Sequence, residues 1–170
     1  MCRYYFVLTA FLAVGIAIGC SGKDKSGRAS GPESIQSAAT ASGHLSRAQA
    51  KRLFPATLSG FAQSSFKIKE KSDEWQEYKG EYLRGQTVLK LVINDWLPKG
   101  NPEWEELMAE GSESVGGYRG LLKAKGNKVT LMVQVAERFR VDFKSRTMSG
   151  DQLREVAKAF DFSKVKRAAQ

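Results

Sequence analysis

Past residue 45 this chain contains neither histidine nor cysteine. Its one histidine, His44, stands at the edge of a polar linker, outside the expected core. Its two cysteines, Cys2 and Cys20, lie near the N-terminus. Ser-His-Asp and Cys-His catalysis, and zinc sites built from His or Cys, therefore lack their usual ligands and nucleophiles. The sequence assigns no catalytic residue, no cofactor and no metal site.

Carboxylates are present but poorly grouped. Glu103, Glu105, Glu106 and Glu110 crowd one predicted helix. Glu106 and Glu110 stand at i and i+4 and could flank a cation. A solvated helix with an acidic N-terminal end accounts for the same four residues. Calcium loops place Asp and Asn at alternate positions, and no such loop occurs. Asp95, Asp142 and Asp161 are scattered, whereas paired-carboxylate hydrolysis needs two acids across a cleft. The glycines from Gly111 to Gly120 lack the lysine spacing of a phosphate loop.

The most suggestive chemistry is cationic. Arg138, Arg140, Lys144 and Arg146 alternate with Phe139, Val141 and Phe143. On a strand, side chains two apart share a face. The four cations would form a stripe, interrupted by Asp142, able to grip phosphate or carboxylate groups. A solvated sheet face or a charge-protected edge strand would give the same alternation. Trp75, which shares a face with Glu77 and Lys79, could contact a sugar ring or a membrane interface. A half-buried tryptophan at a strand end is the simpler reading, and Trp104 is expected in the core.

These residues need elements to position them. Ser46 and Gln49 make a capping box for a short helix ending before Pro55. Strands are expected at 66–71, 75–83 and 87–94, with Tyr78 and Tyr82 on one face. A helix follows over 102–110, capped by Asn101 and opened by Pro102, with Trp104, Leu107 and Met108 facing the core. Strands at 118–125, 128–135 and 138–145 come next, the first pair joined by a Gly126-Asn127 hairpin turn. Ser149 and Gln152 cap a last helix over 150–160. The expected class is α+β: antiparallel sheet or sheets in a helix-βββ-α-βββ-α order, with the helices packed on one face. The two βββα halves read as a duplication or as a coincidence of element order.

The N-terminus carries an address. Arg3 precedes an apolar run from Tyr4 to Gly19, 16 residues long, and the chain turns polar at Ser21. A spanning helix needs roughly 20 residues, so a removed signal fits better than an anchor. Ala17-Ile18-Gly19-Cys20 resembles the lipobox of bacterial lipoproteins, although those most often carry Leu where Ala17 stands. The resemblance implies that residues 1–19 are a signal peptide and that Cys20 is lipidated, holding the protein to a membrane. Fifteen of the 23 residues 21–43 are Ser, Gly, Ala or Thr. On that resemblance residue 20 is the lipidated cysteine; composition makes the rest of 20–43 a flexible linker, and residues 44–170 are expected to form a single α+β domain.

The formal net charge is +9. For an exported domain that charge points away from nucleic acid, toward an anionic envelope polymer, a lipid head group or an acidic protein partner. Ser21 after the cysteine resembles outer-membrane sorting in enteric-type bacteria, which favours an outer membrane location facing the periplasm over the inner membrane or cell surface. Phe54-Pro55, Gly60-Phe61 and the stretch from Arg138 to Phe160 resemble small bacterial lipoprotein domains, a likeness that implies no activity. The expected function is a non-catalytic binding or scaffolding module of the cell envelope. An accessory subunit, or an enzyme using carboxylate or lysine, is the alternative.

Overall fold

Alternation governs the structure. In Trp75–Arg84 (β3), Gln76, Tyr78, Gly80 and Tyr82 are buried while the residues between them are half-exposed. That period-two pattern seats one face on a core and leaves the other to polar side chains. The computed structural model describes residues 43–97, 104–109 and 111–170. Residues 1–42 lie outside it, and with them Cys20, the signal segment and most of the linker. The same holds for Asn101, Pro102, Glu103 and Glu110.

The elements run in chain order. Arg47–Arg52 (α1) is followed by the strands Thr57–Leu58 (β1), Phe61–Ser72 (β2), β3 and Thr87–Trp96 (β4). Trp104–Ala109 (α2) leads into Glu113–Val115 (β5), Tyr118–Lys125 (β6), Lys128–Val135 (β7) and Phe139–Ser145 (β8). Gly150–Lys158 (α3) and Phe162–Arg167 (α4) close the chain. The eight strands make one antiparallel sheet in the order β1-β2-β3-β4-β8-β7-β6-β5. Its centre is the β4–β8 seam, where Ile93 pairs with Val141 and Leu91 with Phe143.

This corrects the expected α+β class and its helix-βββ-α-βββ-α order. The molecule is mostly β, in a single sheet, with helices of only six to nine residues. Two short strands, β1 and β5, extend the predicted triplets to quartets. The helices also fail to share one face. Leu53 and Phe54 beside α1, with the stripes of α3 and α4, join the core over Tyr78, Ile93, Val133 and Phe143, on what we call the inner face. Trp104 and Met108 of α2 pack instead on Leu121 and Met132, which point to the opposite, outer face. An amphipathic helix shows that it has an apolar side, not which side of a sheet will receive it.

Local chemistry explains most boundaries. Both capping boxes form: Ser46 with Gln49, and Ser149 with Gln152. Gly126 takes φ +58° in the two-residue turn closed by Lys125 and Lys128. Along β2, only the first residues pair with β1. The rest of that edge carries Lys67, Lys69 and Lys71 and two register shifts, features that discourage pairing with another chain. Every residue of both hydrophobic clusters lies between Leu45 and Ala169. Burying each large apolar side chain contributes about 1.5–3 kcal/mol. That burial falls within the unit spanning 36–170, which therefore holds a core of its own.

Candidate functional site

The four cations expected to form a stripe take three different positions. Arg138 precedes β8 and turns toward the inner side. Its Nε donates to Asp95 Oδ1 at 2.6 Å, and its Nη2 donates to Asp95 Oδ2 at 3.0 Å and to the Gly43 carbonyl at 3.1 Å. Its guanidinium also lies 5.0 Å from the Phe139 ring centre. Arg140 and Lys144 stay on the outer face and converge on Asp142. Arg140 Nε donates to Oδ1 at 2.9 Å, and Lys144 Nζ lies 2.9 Å from Oδ2. Asp142 is buried and also accepts Asn94 Nδ2 at 3.2 Å. Arg146 lies past the end of β8, exposed, with no carboxylate partner among the described residues.

The sheet then supplies cations from other strands. Lys79 of β3, Lys90 of β4 and Lys128 at the start of β7 surround a concavity of about 580 Å³ on the outer face, together with Lys144 and Arg146. Val88 and Val92 give it an apolar floor, and Glu77 is its one lining carboxylate. Lys90 and Lys144 are direct cross-strand partners, a like-charge pairing that costs stability. Each leans away to its own acid: Lys144 to Asp142, and Lys90 Nζ to Glu81 Oε1 at 3.4 Å. Lys79 Nζ reaches the same Glu81 oxygen at 3.5 Å. Burial raises the Glu81 carboxyl, but Lys90 and then Lys79 outweigh it and hold it below the usual carboxylate range. Lys128, like Arg146, meets no carboxylate among the described residues.

Lys79, Lys90 and Lys128 were not singled out in the sequence. Alternation placed Lys79 on an outer face. The gathering of β3, β4, β7 and β8 around one basin depends on the β4–β8 seam, which local patterning does not encode.

A second polar cluster sits inside. His44, expected outside the core, is buried. Its Nδ1 lies 3.2 Å from Asp95 Oδ2, and its Nε2 is 2.9 Å from the Asp73 carbonyl. The Tyr78 hydroxyl has three acceptors in range for its one proton: Gln76 Oε1 at 2.9 Å, the Leu45 carbonyl at 3.1 Å and Asp95 Oδ2 at 3.3 Å. Burial, then the adjacent Asp95, push the Tyr78 phenol above its ordinary value. Asp95 and His44 side chains have no solvent exposure. With no access for a substrate, this arrangement clasps residues 43–45 to β4.

The remaining candidates are resolved by packing. Trp75 stacks on its cross-strand partner Trp96, with ring centres 4.8 Å apart and planes 3° from parallel. Lys71 lies 5.4 Å from the Trp75 ring centre. Trp104, the first residue of α2, is buried against the sheet. Glu105 meets Arg119 Nη1 at 3.2 Å in an exposed pair. No helix among the described residues is long and apolar enough to cross a membrane. Comparison with protein-family models, curated proteins and solved structures finds no match.

Proposed function

We propose that this chain is a lipid-anchored lipoprotein of the cell envelope whose folded domain is a non-catalytic module that binds an anionic partner. Residues 1–19 act as the signal peptide, Cys20 carries the lipid, and residues 21–43 tether the domain. Ser21, as in enteric-type sorting, favours an outer-membrane location facing the periplasm over the inner membrane or cell surface. The observation that carries the binding reading is the outer-face basin, where five cations line a concavity against one carboxylate. Two of those cations, Lys128 and Arg146, meet no carboxylate among the described residues. Groups held this way attract anions strongly at low ionic strength and weakly once salt screens them.

The test is retention of the 36–170 domain on an immobilised polyanion such as heparin, as a function of salt. Lys128→Ser with Arg146→Ser should shift elution to lower salt and leave thermal unfolding nearly unchanged. Retention that ignores both the substitutions and the salt would sink the reading. Arg138 is kept intact in this test, since it holds Asp95. Mass spectrometry of the mature N-terminus tests the lipid on Cys20.

A further inference from the structure

The charge of the basin is focal. A long polymer is gripped best by cations repeated along a strand. Along β8 that repeat is broken, because Arg138 turns to the inner side and Arg140 pairs with Asp142. Among the cations that line the basin, the two without a carboxylate partner among the described residues lie at one end of the sheet. Lys128 opens β7, Arg146 follows β8, and Val129 pairs with Ser145 between them. Ser145 Oγ donates to the Val88 carbonyl at 2.8 Å, which holds this end of β8 against the start of β4.

The same end carries exposed hydrocarbon. Among the described residues, the exposed large apolar side chains are Leu83, at 43 %, and Val88, at 36 %. They are not scattered. Leu83 and Val88 are cross-strand partners beside the β3–β4 turn, and Val88 lines the basin. Val88, Lys90 and Val92 alternate on one strand face, so apolar and cationic groups are interleaved at the basin floor. An amphiphile with an anionic head matches this pairing, whereas a wholly hydrophilic polyanion leaves Leu83 unused.

We infer that the outer-face basin takes the phosphate head group of an anionic lipid at a bilayer surface, with Leu83 entering the hydrocarbon boundary. This rests on reading the basin as an anion site. Each lysine or arginine held near an anionic bilayer strengthens binding about five-fold. A leucine moved from water into the boundary adds a further gain through its buried area.

The experiment compares co-sedimentation of the 36–170 domain with vesicles of phosphatidylcholine alone and of phosphatidylcholine mixed with phosphatidylglycerol. Heparin retention is measured in parallel. Binding is expected only to the mixed vesicles and should fade with salt. Leu83→Ser should weaken it on the order of ten-fold without changing heparin retention. Leu83→Trp should strengthen vesicle binding, because tryptophan favours the membrane interface, and this second variant guards against a folding defect in the first. Lys128→Ser with Arg146→Ser should weaken both. Heparin retention without vesicle binding, or vesicle binding that neither Leu83 variant moves, overturns the lipid inference and leaves the anion reading standing. Absence of retention on either overturns both.

Discussion

Arg138 and Asp95 meet through two parallel hydrogen bonds, at 2.6 and 3.0 Å, across the ends of β8 and β4. The carboxylate has no solvent exposure and the arginine side chain keeps 21 %. Asp95 also receives the Leu45 amide at 3.4 Å. One carboxylate thus ties the N-terminal edge of the domain to the sheet centre.

Removing it should be costly. Asp95→Ala leaves the Arg138 charge, the Tyr78 hydroxyl and the His44 ring beside a cavity. Breaking a buried pair by deleting one partner costs about 3–5 kcal/mol. Urea denaturation of the 36–170 domain should show that loss. A change below about 1 kcal/mol, the range of exposed pairs, would mean that the clasp is not structural.

How visible this was depends on distance along the chain. The β6–β7 hairpin, both capping boxes and the inward set Phe139, Val141 and Phe143 were readable, since each rests on neighbours within a few residues. The two-residue β1 and three-residue β5 are too short for periodicity to register. The β4–β8 seam joins segments separated by α2 and three strands, and nothing local encodes that choice. Arg138 shows the consequence. Its alternation with Phe139 put it on the outer face, but Asp95, 43 positions away, draws its side chain to the other side. His44 was misplaced for the same reason. The basin suffered likewise: Arg146 and Lys144 were legible as cations, while Lys79, Lys90 and Lys128 join them only through the sheet.

Gly80 shows how closely α1 is seated. A Cβ at this position would stand 2.7 Å from Phe54 Cδ1 and 3.0 Å from Tyr82 Cε2. Both are ring atoms of buried side chains, so neither yields easily. Gly80→Ala should cost about 1–3 kcal/mol by overpacking. The double variant with Phe54→Leu should recover part of that loss relative to Phe54→Leu alone. Equal cost in both backgrounds, measured by thermal unfolding, would place the strain elsewhere.

Glu81 gives a pH prediction with a definite sign. Its carboxyl is depressed in the folded state. Its stabilising contribution is therefore complete above the unfolded carboxyl value of roughly 4.3 and fades as pH falls through the lower folded one. Its side chain is 35 % exposed and those of Lys79 and Lys90 are 25 % and 44 %. Screening thus limits the contribution to a few tenths of a kcal/mol. Glu81→Gln should be slightly less stable at neutral pH and equal to the native chain in acid. A gap that widens on acidification contradicts this assignment. The same variant should elute from heparin at higher salt, because Lys79 and Lys90 lose their shared counter-charge.

Asp142 makes the sharpest opposition between stability and binding. It lies on the outer face yet is only 1 % exposed, under Arg140, Lys144 and Asn94. Asp142→Asn keeps the volume but removes the charge, and its new amide donors face two cations and Asn94 Nδ2. Leaving those donors ill matched should cost about 1–3 kcal/mol. Arg140 and Lys144 keep 18 % and 23 % exposure, so both can turn toward solvent once released. Lys144 already lines the basin, and its freed charge adds to Lys128 and Arg146. The variant should therefore unfold at lower urea and elute from heparin at higher salt. If it elutes at lower salt while folded, Asp142 serves chiefly to aim Lys144 into the basin, and position there outweighs net charge.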